Sequence, residues 1–310
     1  MLEPMEARCI MVEKLSKIIS NGFATWKTNL TICLPFVFSL VAIGIVGLVI
    51  IGSALVIAIG PFIPTIMPYL ADSGEIPPEI MQQLLAPLMA SAGLLLGAIL
   101  VTVILLLLIN TFFNAGAIGM ARVATKTGHT SLADMLDYGR RKFLSLLGVS
   151  VAIAVIQLAG LVFLIPGLIS FVSSSEISGT PFDAASMAAW ALLAIGLLLL
   201  ILYMLIISII LAVPPYAVVI SDLRALEGLK TGFRFFMAHK LDVCLLWLVV
   251  LVIAVLASMV LGIIPSIGGL LSMVVSVVII QPLVVIWWTR LYLSGTEPAP
   301  AEGAGPAQIP

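Results

Sequence analysis

The apolar stretches of this sequence contain neutral polar side chains that could do chemistry, but no ionisable group near their centres. Amides and hydroxyls donate and accept hydrogen bonds without carrying charge. Charged residues inside a membrane usually mark proton relays and ion pathways, so their absence disfavours a proton-driven pump or transporter. The neutral polar residues of interest are Asn110, Asn114, Gln157, Tyr203 and Gln281.

Two interpretations of these residues remain open. The simpler one is hydrogen bonding between helices, worth about 0.6 kcal/mol per bond on average in membranes. The other is a small polar vestibule in the cytoplasmic third of the membrane. Corresponding depths of the three second spans hold Asn114, Pro214-Pro215 and Gln281-Pro282. Because proline has no N–H, the carbonyl one turn earlier in the helix is left without its usual partner. Loosened backbone of this kind is tolerated where it is buried or lines a wet cavity.

Catalytic and metal-binding patterns are missing from the sequence. The two histidines, His129 and His239, have neither zinc-site spacing nor a serine partner. Cys9, Cys33 and Cys244 lack metal-type spacing, and no phosphate-binding loop is present. We therefore predict no metal, no cofactor and no enzyme activity. A less favoured alternative is a lipid enzyme that uses either histidine with one of Asp134, Asp137 or Asp242.

The composition places these residues in a lipid bilayer. The chain is 62% hydrophobic and 9% charged, whereas soluble domains carry about 25% charged residues. A retained first span is expected instead of a cleaved signal, because the first apolar run is too long for a signal peptide. One polytopic domain, 1–293, is predicted, with a disordered cytoplasmic tail at 294–310. Its six spans are approximately 30–60, 88–119, 143–171, 186–219, 241–264 and 267–293.

The distribution of charge predicts the orientation of the spans. All 14 Lys and Arg lie in the N-terminal segment, in 120–142, in 221–240, or at Arg290. The two long loops on the opposite side contain acids and no base. Cytoplasmic loops favour Lys and Arg, so both termini are predicted to be cytoplasmic. A net charge of −1 gives no reason to expect nucleic-acid binding.

A polar, partly amphipathic stretch precedes each pair of spans, and we call these three stretches the entry segments. The first, at 8–27, combines an apolar face with a basic one. This pattern fits either a helix in the headgroup plane or a helix packed on other spans. The second contains the cluster Arg140, Arg141 and Lys142, which either contacts anionic lipid headgroups or only fixes the topology. Ser131 and Asp134 predict a capping box at its start, and Asp222 is a predicted cap for the third.

The entry segments share a register that predicts an internal repeat. Gly22, Gly139 and Gly232 are each followed four residues later by an aromatic residue. Each second span ends in an arginine, namely Arg122, Arg224 or Arg290. The predicted fold is therefore an all-α integral membrane protein of six helices in three parallel hairpin pseudo-repeats, each preceded by a cytoplasmic interfacial amphipathic helix. The small-residue pair Gly93 and Gly97 predicts a helix contact within the protein.

Two segments, 128–143 and 225–236, resemble a broad prokaryotic group of six-span proteins of unknown function, whose archaeal members are nearest in character. That group is similar to the membrane domain attached to some glycerophosphoryl diester phosphodiesterases. In those enzymes a separate soluble barrel carries the catalysis. No barrel-sized stretch follows residue 293, so the resemblance implies the membrane architecture without the phosphodiesterase activity.

Two functions follow as expectations. The first is a non-enzymatic accessory or lipid-organising component of the cell membrane, which contacts the bilayer, its anionic headgroups and a membrane-protein partner. The alternative is a passive or facilitated transporter of small molecules that uses the polar vestibule.

Overall fold

The structure is a computed structural model that describes residues 13–64, 67, 78–177, 184–264 and 267–296. Within these ranges the secondary structure is helical, and no strand occurs. The α-helices are α1 Leu15–Thr28, α2 Leu34–Ile59, α3 Pro78–Thr127, α4 Leu132–Ala159, α5 Ile165–Ile177, α6 Ala184–Ile210, α7 Pro214–Ile220, α8 Ala225–Ala238, α9 Lys240–Gly262, α10 Gly268–Val275 and α11 Gln281–Thr296. Some of these helices are linked by three 3-10 segments, Leu30–Cys33, Gly60–Phe62 and Gly160–Leu164, and by one π-helical segment, Ser276–Ile280.

Six stretches of the described chain are helical, long and apolar enough to cross a membrane. They confirm the prediction of a multi-pass, all-helical membrane protein. These stretches are Leu30–Phe62, Ser91–Thr127, Leu132–Ser173, Met187–Ile220, Lys240–Gly262 and Gly268–Thr296.

Helix α3 is much longer than the predicted span at 88–119. Its 50 residues correspond to about 75 Å at 1.5 Å per residue, more than twice the hydrocarbon thickness of about 30 Å. Gly128 ends the helix with φ +84°, a left-handed conformation that glycine adopts without strain after a helix C-terminus. The polar residues after Met120 therefore belong to the same helix as the span, and this helix ends at Thr127.

Helix α4 joins the second entry segment to the third span without a break. Ser131 caps it by accepting a hydrogen bond from the Asp134 backbone, and the Asp134 carboxylate accepts one from the Ser131 backbone at 2.8 Å. The predicted capping box is confirmed. The helix runs continuously from Leu132 to Ala159, so the start of the span at residue 143 stays a prediction.

The second spans of the later hairpins are irregular at the prolines. Helix α6 ends at Ile210, and α7 restarts at Pro214. In the sixth span the π-helical segment lies directly before Gln281-Pro282. Pro282 has no N–H for the carbonyl of Val278, and that carbonyl instead accepts bonds from Trp26 Nε1 at 3.2 Å and Cys33 Sγ at 3.0 Å. The freed carbonyl expected from the sequence is therefore satisfied by the first entry segment.

The buried core lies at one end of the helices, where the second spans finish. Its fully buried side chains include Met120, Val218 and Ile286, one from each second span. Toward the opposite end the helices expose large apolar side chains such as Leu48 at 77% and Val260 at 62%. By the charge distribution, the packed end is the basic one. The three hairpins are therefore joined there, and their other ends offer apolar surface.

Each entry segment packs against the second span of the preceding hairpin. A Cβ on Gly139 would lie 3.0 Å from the Phe112 ring, and one on Gly232 would lie 2.6 Å from Pro214 Cα. A Cβ on Gly22 would lie 2.4 Å from Trp287 Cδ1. The first entry segment thus packs on the sixth span, as the second packs on the second span and the third on the fourth. These three contacts join the hairpins in a closed ring.

Each entry segment, or in the first unit the residues directly after it, also touches the end of its own hairpin's second span. Asn29 Nδ2 donates to the Gly128 carbonyl at 2.9 Å, and Lys142 pairs with Asp222. In the third unit the Phe235 ring packs on Tyr292, with ring centroids 5.2 Å apart. Every entry segment is therefore held between two second spans.

Three further sequence predictions need correction. Asp222 does not cap α8, which begins after Arg224 with Glu227 as the acidic partner. Gly93 and Gly97 have no neighbouring atom within 4 Å of a built Cβ, so they make no helix contact in the described part of the chain. The predicted disordered tail starts too early, because α11 continues through Gly295, which packs on Phe235, to Thr296. Residues 297–310 lie outside the described ranges.

The described part of the N-terminal entry helix is packed on another span. Its described part, α1, begins at Leu15, and residues 8–12 of the predicted helix lie outside the described ranges. Ile18 is 1% exposed, and the Ile19 carbonyl accepts a bond from Trp287 Nε1 at 3.3 Å. Packing against other spans, one of the two interpretations of this segment, therefore accounts for the face that contains Ile18. Phe23 is 41% exposed, so part of the helix is not covered by this packing.

Candidate functional site

A polar cavity lies between α2, α3, α7 and the sixth span. Its volume is about 420 Å³, and three of the five predicted vestibule residues, Asn110, Asn114 and Gln281, line it. Ser39 joins them, 7% exposed, and its hydroxyl donates to Asn110 Oδ1 at 3.4 Å. The apolar walls come from Phe36, Leu40, Ile43, Phe113, Val277, Ile280, Val284 and Val285.

Tyr216 completes the polar lining, and the sequence analysis missed it. It is 8% exposed and stacks on Trp288, with ring centroids 6.2 Å apart. The other described tyrosine hydroxyls all have partners. Tyr138 binds Arg122, Tyr203 binds a backbone carbonyl and Tyr292 binds Ser221. Within the described residues, the Tyr216 hydroxyl has none.

Two predicted vestibule residues lie elsewhere. Tyr203 donates its hydroxyl to the Ile156 carbonyl at 2.6 Å. That carbonyl is available because the α-helical pattern changes to a 3-10 segment at Gly160. Gln157, half-buried in α4, does not line the cavity either. For Tyr203 the structure therefore favours the simpler interpretation, a bond between two helices. The prolines of α7 are also outside the lining, since Pro214 packs on Gly232.

The basic cluster of the second entry segment divides into two parts. Arg140 is exposed. Arg141 is about half-exposed, with an Asp137 oxygen at 3.9 Å and the Tyr138 ring centroid at 5.0 Å. Both arginines can reach a headgroup. Lys142 cannot, because it is 3% exposed and pairs with Asp222. The lipid-contact prediction is therefore wrong for Lys142.

The other two entry segments also place bases beside exposed apolar side chains. On α8, Lys230 and Arg234 are exposed next to Phe233, which is 42% exposed, and Leu226, which is 78% exposed. On α1, Lys27 Nζ lies 5.0 Å from the ring centroid of Phe23. This combination suits a membrane interface, where long basic side chains extend toward headgroups from an apolar surface.

A second, wholly apolar groove adjoins the cavity. Its volume is about 270 Å³. It lies between α1, α9 and the sixth span, and shares Ile280 and Val284 with the polar cavity. The described residues contain no group of three or more His, Cys, Asp or Glu that could hold a metal ion.

Comparison with known families gives one match. The family model described as "Domain of unknown function (DUF7847)" matches residues 78–291, which is more than two thirds of the chain. The chain belongs to this family. No curated protein and no solved structure matches it. Of the cavity residues of this DUF7847 protein, Asn110, Asn114, Tyr216 and Gln281 fall inside the matched range, and Ser39 falls before it.

Proposed function

We propose that this DUF7847 protein is a non-enzymatic, lipid-organising component of the cell membrane. The observation that carries the proposal is the exposed face of its entry segments, where bases stand beside large apolar side chains at the packed end of the helices. Arg140, Arg141, Lys230 and Arg234 would attract anionic headgroups, each by about 1 kcal/mol near an anionic surface. The apolar neighbours would sit at the level of the acyl chains.

The proposal includes a three-unit architecture with both termini in the cytoplasm. Its support is the closed ring of contacts, in which the entry-segment glycines Gly22, Gly139 and Gly232 face the preceding second span in turn. The concentration of Lys and Arg on one side supports the orientation. We further propose a prokaryotic origin and a relationship to the membrane domains of glycerophosphoryl diester phosphodiesterases. A membrane-protein partner is part of the same proposal, for which the exposed apolar outer ends provide surface.

A reporter fusion tests the orientation. Alkaline phosphatase inserted at Gly74 should be active, because the acidic loop around this residue is predicted to face away from the cytoplasm. The same reporter inserted at Gly128 should be inactive. The opposite pattern would reverse the proposed topology.

Lipid selectivity tests the proposed function. We expect spin-labelled phosphatidylglycerol to be enriched over phosphatidylcholine in the motionally restricted shell of the reconstituted protein. Replacing Arg140, Arg141, Lys230 and Arg234 by glutamine should remove most of this preference, because the exposed positive charges that attract the headgroup are lost. Electron paramagnetic resonance measures the restricted fraction for each lipid.

A charge-conserving variant is the matched control. Arg140→Lys with Arg141→Lys and Arg234→Lys keeps the charge, and should keep the preference for phosphatidylglycerol. If the glutamine variant retains the full preference, the entry segments do not organise anionic lipid and the proposal fails.

A facilitated transporter is the second candidate, favoured by the convergence of Asn110, Asn114 and Gln281 on one cavity. It predicts faster glycerol entry into proteoliposomes than into empty liposomes, and loss of this acceleration in Asn114→Leu. Stopped-flow light scattering measures the swelling rate. Equal rates with and without protein would exclude glycerol transport.

A further inference from the structure

We propose that the polar cavity and the adjoining apolar groove form one binding site for a membrane lipid with an uncharged, hydroxyl-bearing headgroup. The headgroup would occupy the cavity around Tyr216, and an acyl chain would extend past Ile280 and Val284 into the groove. This inference deepens the proposed lipid-organising function by naming a lipid class. Its polar contacts come from residues that the anionic-lipid proposal does not use.

The Tyr216 hydroxyl is the first argument for a ligand. The residue is more than nine-tenths buried, lines the cavity, and has no hydrogen-bond partner among the described residues, unlike Tyr138, Tyr203 and Tyr292. The hydroxyl is therefore free to donate a hydrogen bond to a ligand in the cavity and to accept one from it. A hydroxyl or ester oxygen placed in the cavity would satisfy this group.

The remaining lining defines the chemistry of the headgroup. Asn110, Asn114, Gln281 and Ser39 provide amide and hydroxyl groups that both donate and accept. No lining residue is charged. A phosphate or carboxylate would enter without a counter-charge, and burying an unpaired charge is far more costly than burying a hydrogen-bonded neutral group. The lining therefore favours a neutral hydroxyl group over an anionic one.

The amides of the cavity lie deeper along their helices than the arginines that end the second spans. Asn114 precedes Arg122 by eight residues on the same helix, about 12 Å along its axis. Gln281 precedes Arg290 by nine residues on α11, about 13 Å along its axis. The polar interfacial region is only about 5–7 Å thick on each side of the bilayer, so the amides lie below it, at a depth that favours an uncharged headgroup over a charged one.

The groove supplies the site for the chain. It is lined by apolar side chains alone, and it shares with the polar cavity Ile280, the last residue of the π-helical segment, and Val284 of α11. A small polar solute would fill the cavity but would gain nothing from the groove. An amphiphile uses both, which is why we assign a lipid. The remaining groove residues are Ile19, Phe23, Val250, Ile253, Ile279, Leu283 and Trp287.

Quenching by brominated lipid tests the proposal, because Trp287 lines the groove. The full chain is placed in phosphatidylcholine nanodiscs that contain increasing amounts of diacylglycerol brominated on its acyl chains. We expect saturable quenching of tryptophan fluorescence by diacylglycerol, and only weak, linear quenching by phosphatidylglycerol with the same chains. Tyr216→Phe should weaken apparent diacylglycerol affinity about five- to tenfold, the loss expected for one hydrogen bond.

Matched variants separate binding from stability. Tyr203→Phe, which removes a hydroxyl bonded outside the cavity, should leave diacylglycerol affinity unchanged. Without added diacylglycerol, Tyr216→Phe should not lower the melting temperature, since its hydroxyl has no protein partner to lose. Glutamine at Arg140 and Arg141 should also leave the affinity unchanged, so failure of the anionic-lipid proposal can be told apart from failure of this one.

Three outcomes would overturn the inference. Equal quenching by both brominated lipids would indicate bulk lipid contact. Unchanged affinity in Tyr216→Phe would place the diacylglycerol elsewhere. Competition by free glycerol at millimolar concentration would show that the cavity takes a soluble polyol instead of a lipid.

Discussion

Replacing Gly232 by alanine is expected to destabilise the protein more than alanine at the other entry-segment glycines. The added Cβ would lie 2.6 Å from the Cα and N atoms of Pro214. These are backbone atoms of a proline, so the clash cannot be relieved by a side-chain rotation. Overpacking of this kind costs about 1–3 kcal/mol, and we expect the upper end of that range. Thermal unfolding in mild detergent, followed by circular dichroism, measures the change.

The other glycines provide a graded series with a control. Gly22→Ala brings a Cβ to 2.4 Å from Trp287 Cδ1, a side-chain atom instead of a backbone one, and Gly139→Ala brings a Cβ to only 3.0 Å from the Phe112 ring. We therefore expect the loss of stability to fall in the order Gly232, Gly22, Gly139. Gly97→Ala, with no atom within 4 Å of its Cβ, should be neutral or stabilising. Equal effects at Gly97 and Gly232 would contradict the packing of α8 on α7.

The second large effect is expected at the ion pair between the second and third units. Asp222→Asn should destabilise the fold by about 1–3 kcal/mol, because Lys142 is 3% exposed and would lose its charged partner. The backbone at Asp222 has φ +59°, a left-handed conformation that asparagine adopts readily. The substitution therefore removes the charge without straining the turn. Chemical or thermal unfolding in detergent measures the loss.

A second substitution isolates the charge. Lys142→Met in the Asp222→Asn background removes the buried ammonium and keeps an unbranched chain of similar length. Lys142 is the buried member of the pair, whereas the Asp222 side chain is 70% exposed. Removing the uncompensated buried ammonium should therefore recover most of the lost stability. A double variant as unstable as Asp222→Asn alone would mean that the Asp222 carboxylate stabilises the turn itself, independently of Lys142.

Both predictions concern how the units are joined. Lys142 in α4 reaches the loop after α7, and Trp26 and Trp287 join the first entry segment to the sixth span across more than 250 residues. In a membrane, association between helices depends on close packing and hydrogen bonds, because lipid is as apolar as the helices. A close glycine contact or an ion pair with a buried lysine therefore carries a larger share of the stability than it would in a soluble bundle.

Much of the local structure follows from the sequence. The six apolar stretches, the capping box of Ser131 and Asp134, and the freed carbonyl before Pro282 depend on residue types at fixed spacing along one helix. The orientation predicted from Lys and Arg stays a prediction. Helix ends were less well predicted at Thr127 and Thr296, because polar residues continue a helix wherever no breaker or tertiary contact stops them.

The tertiary structure decided which polar residues meet. The sequence gives the depth of Asn114, Gln157 and Gln281 along their spans, but not the direction in which each side chain points relative to other helices. Packing brought Asn114 and Gln281 together with Tyr216 and left Gln157 outside. Tyr216 carried a sequence signal, a hydroxyl two residues after Pro214 at the predicted depth, but helical periodicity cannot show that a neighbouring helix leaves its hydroxyl free. The pairing of Lys142 with Asp222 likewise joins residues 80 positions apart, a distance that no local pattern spans.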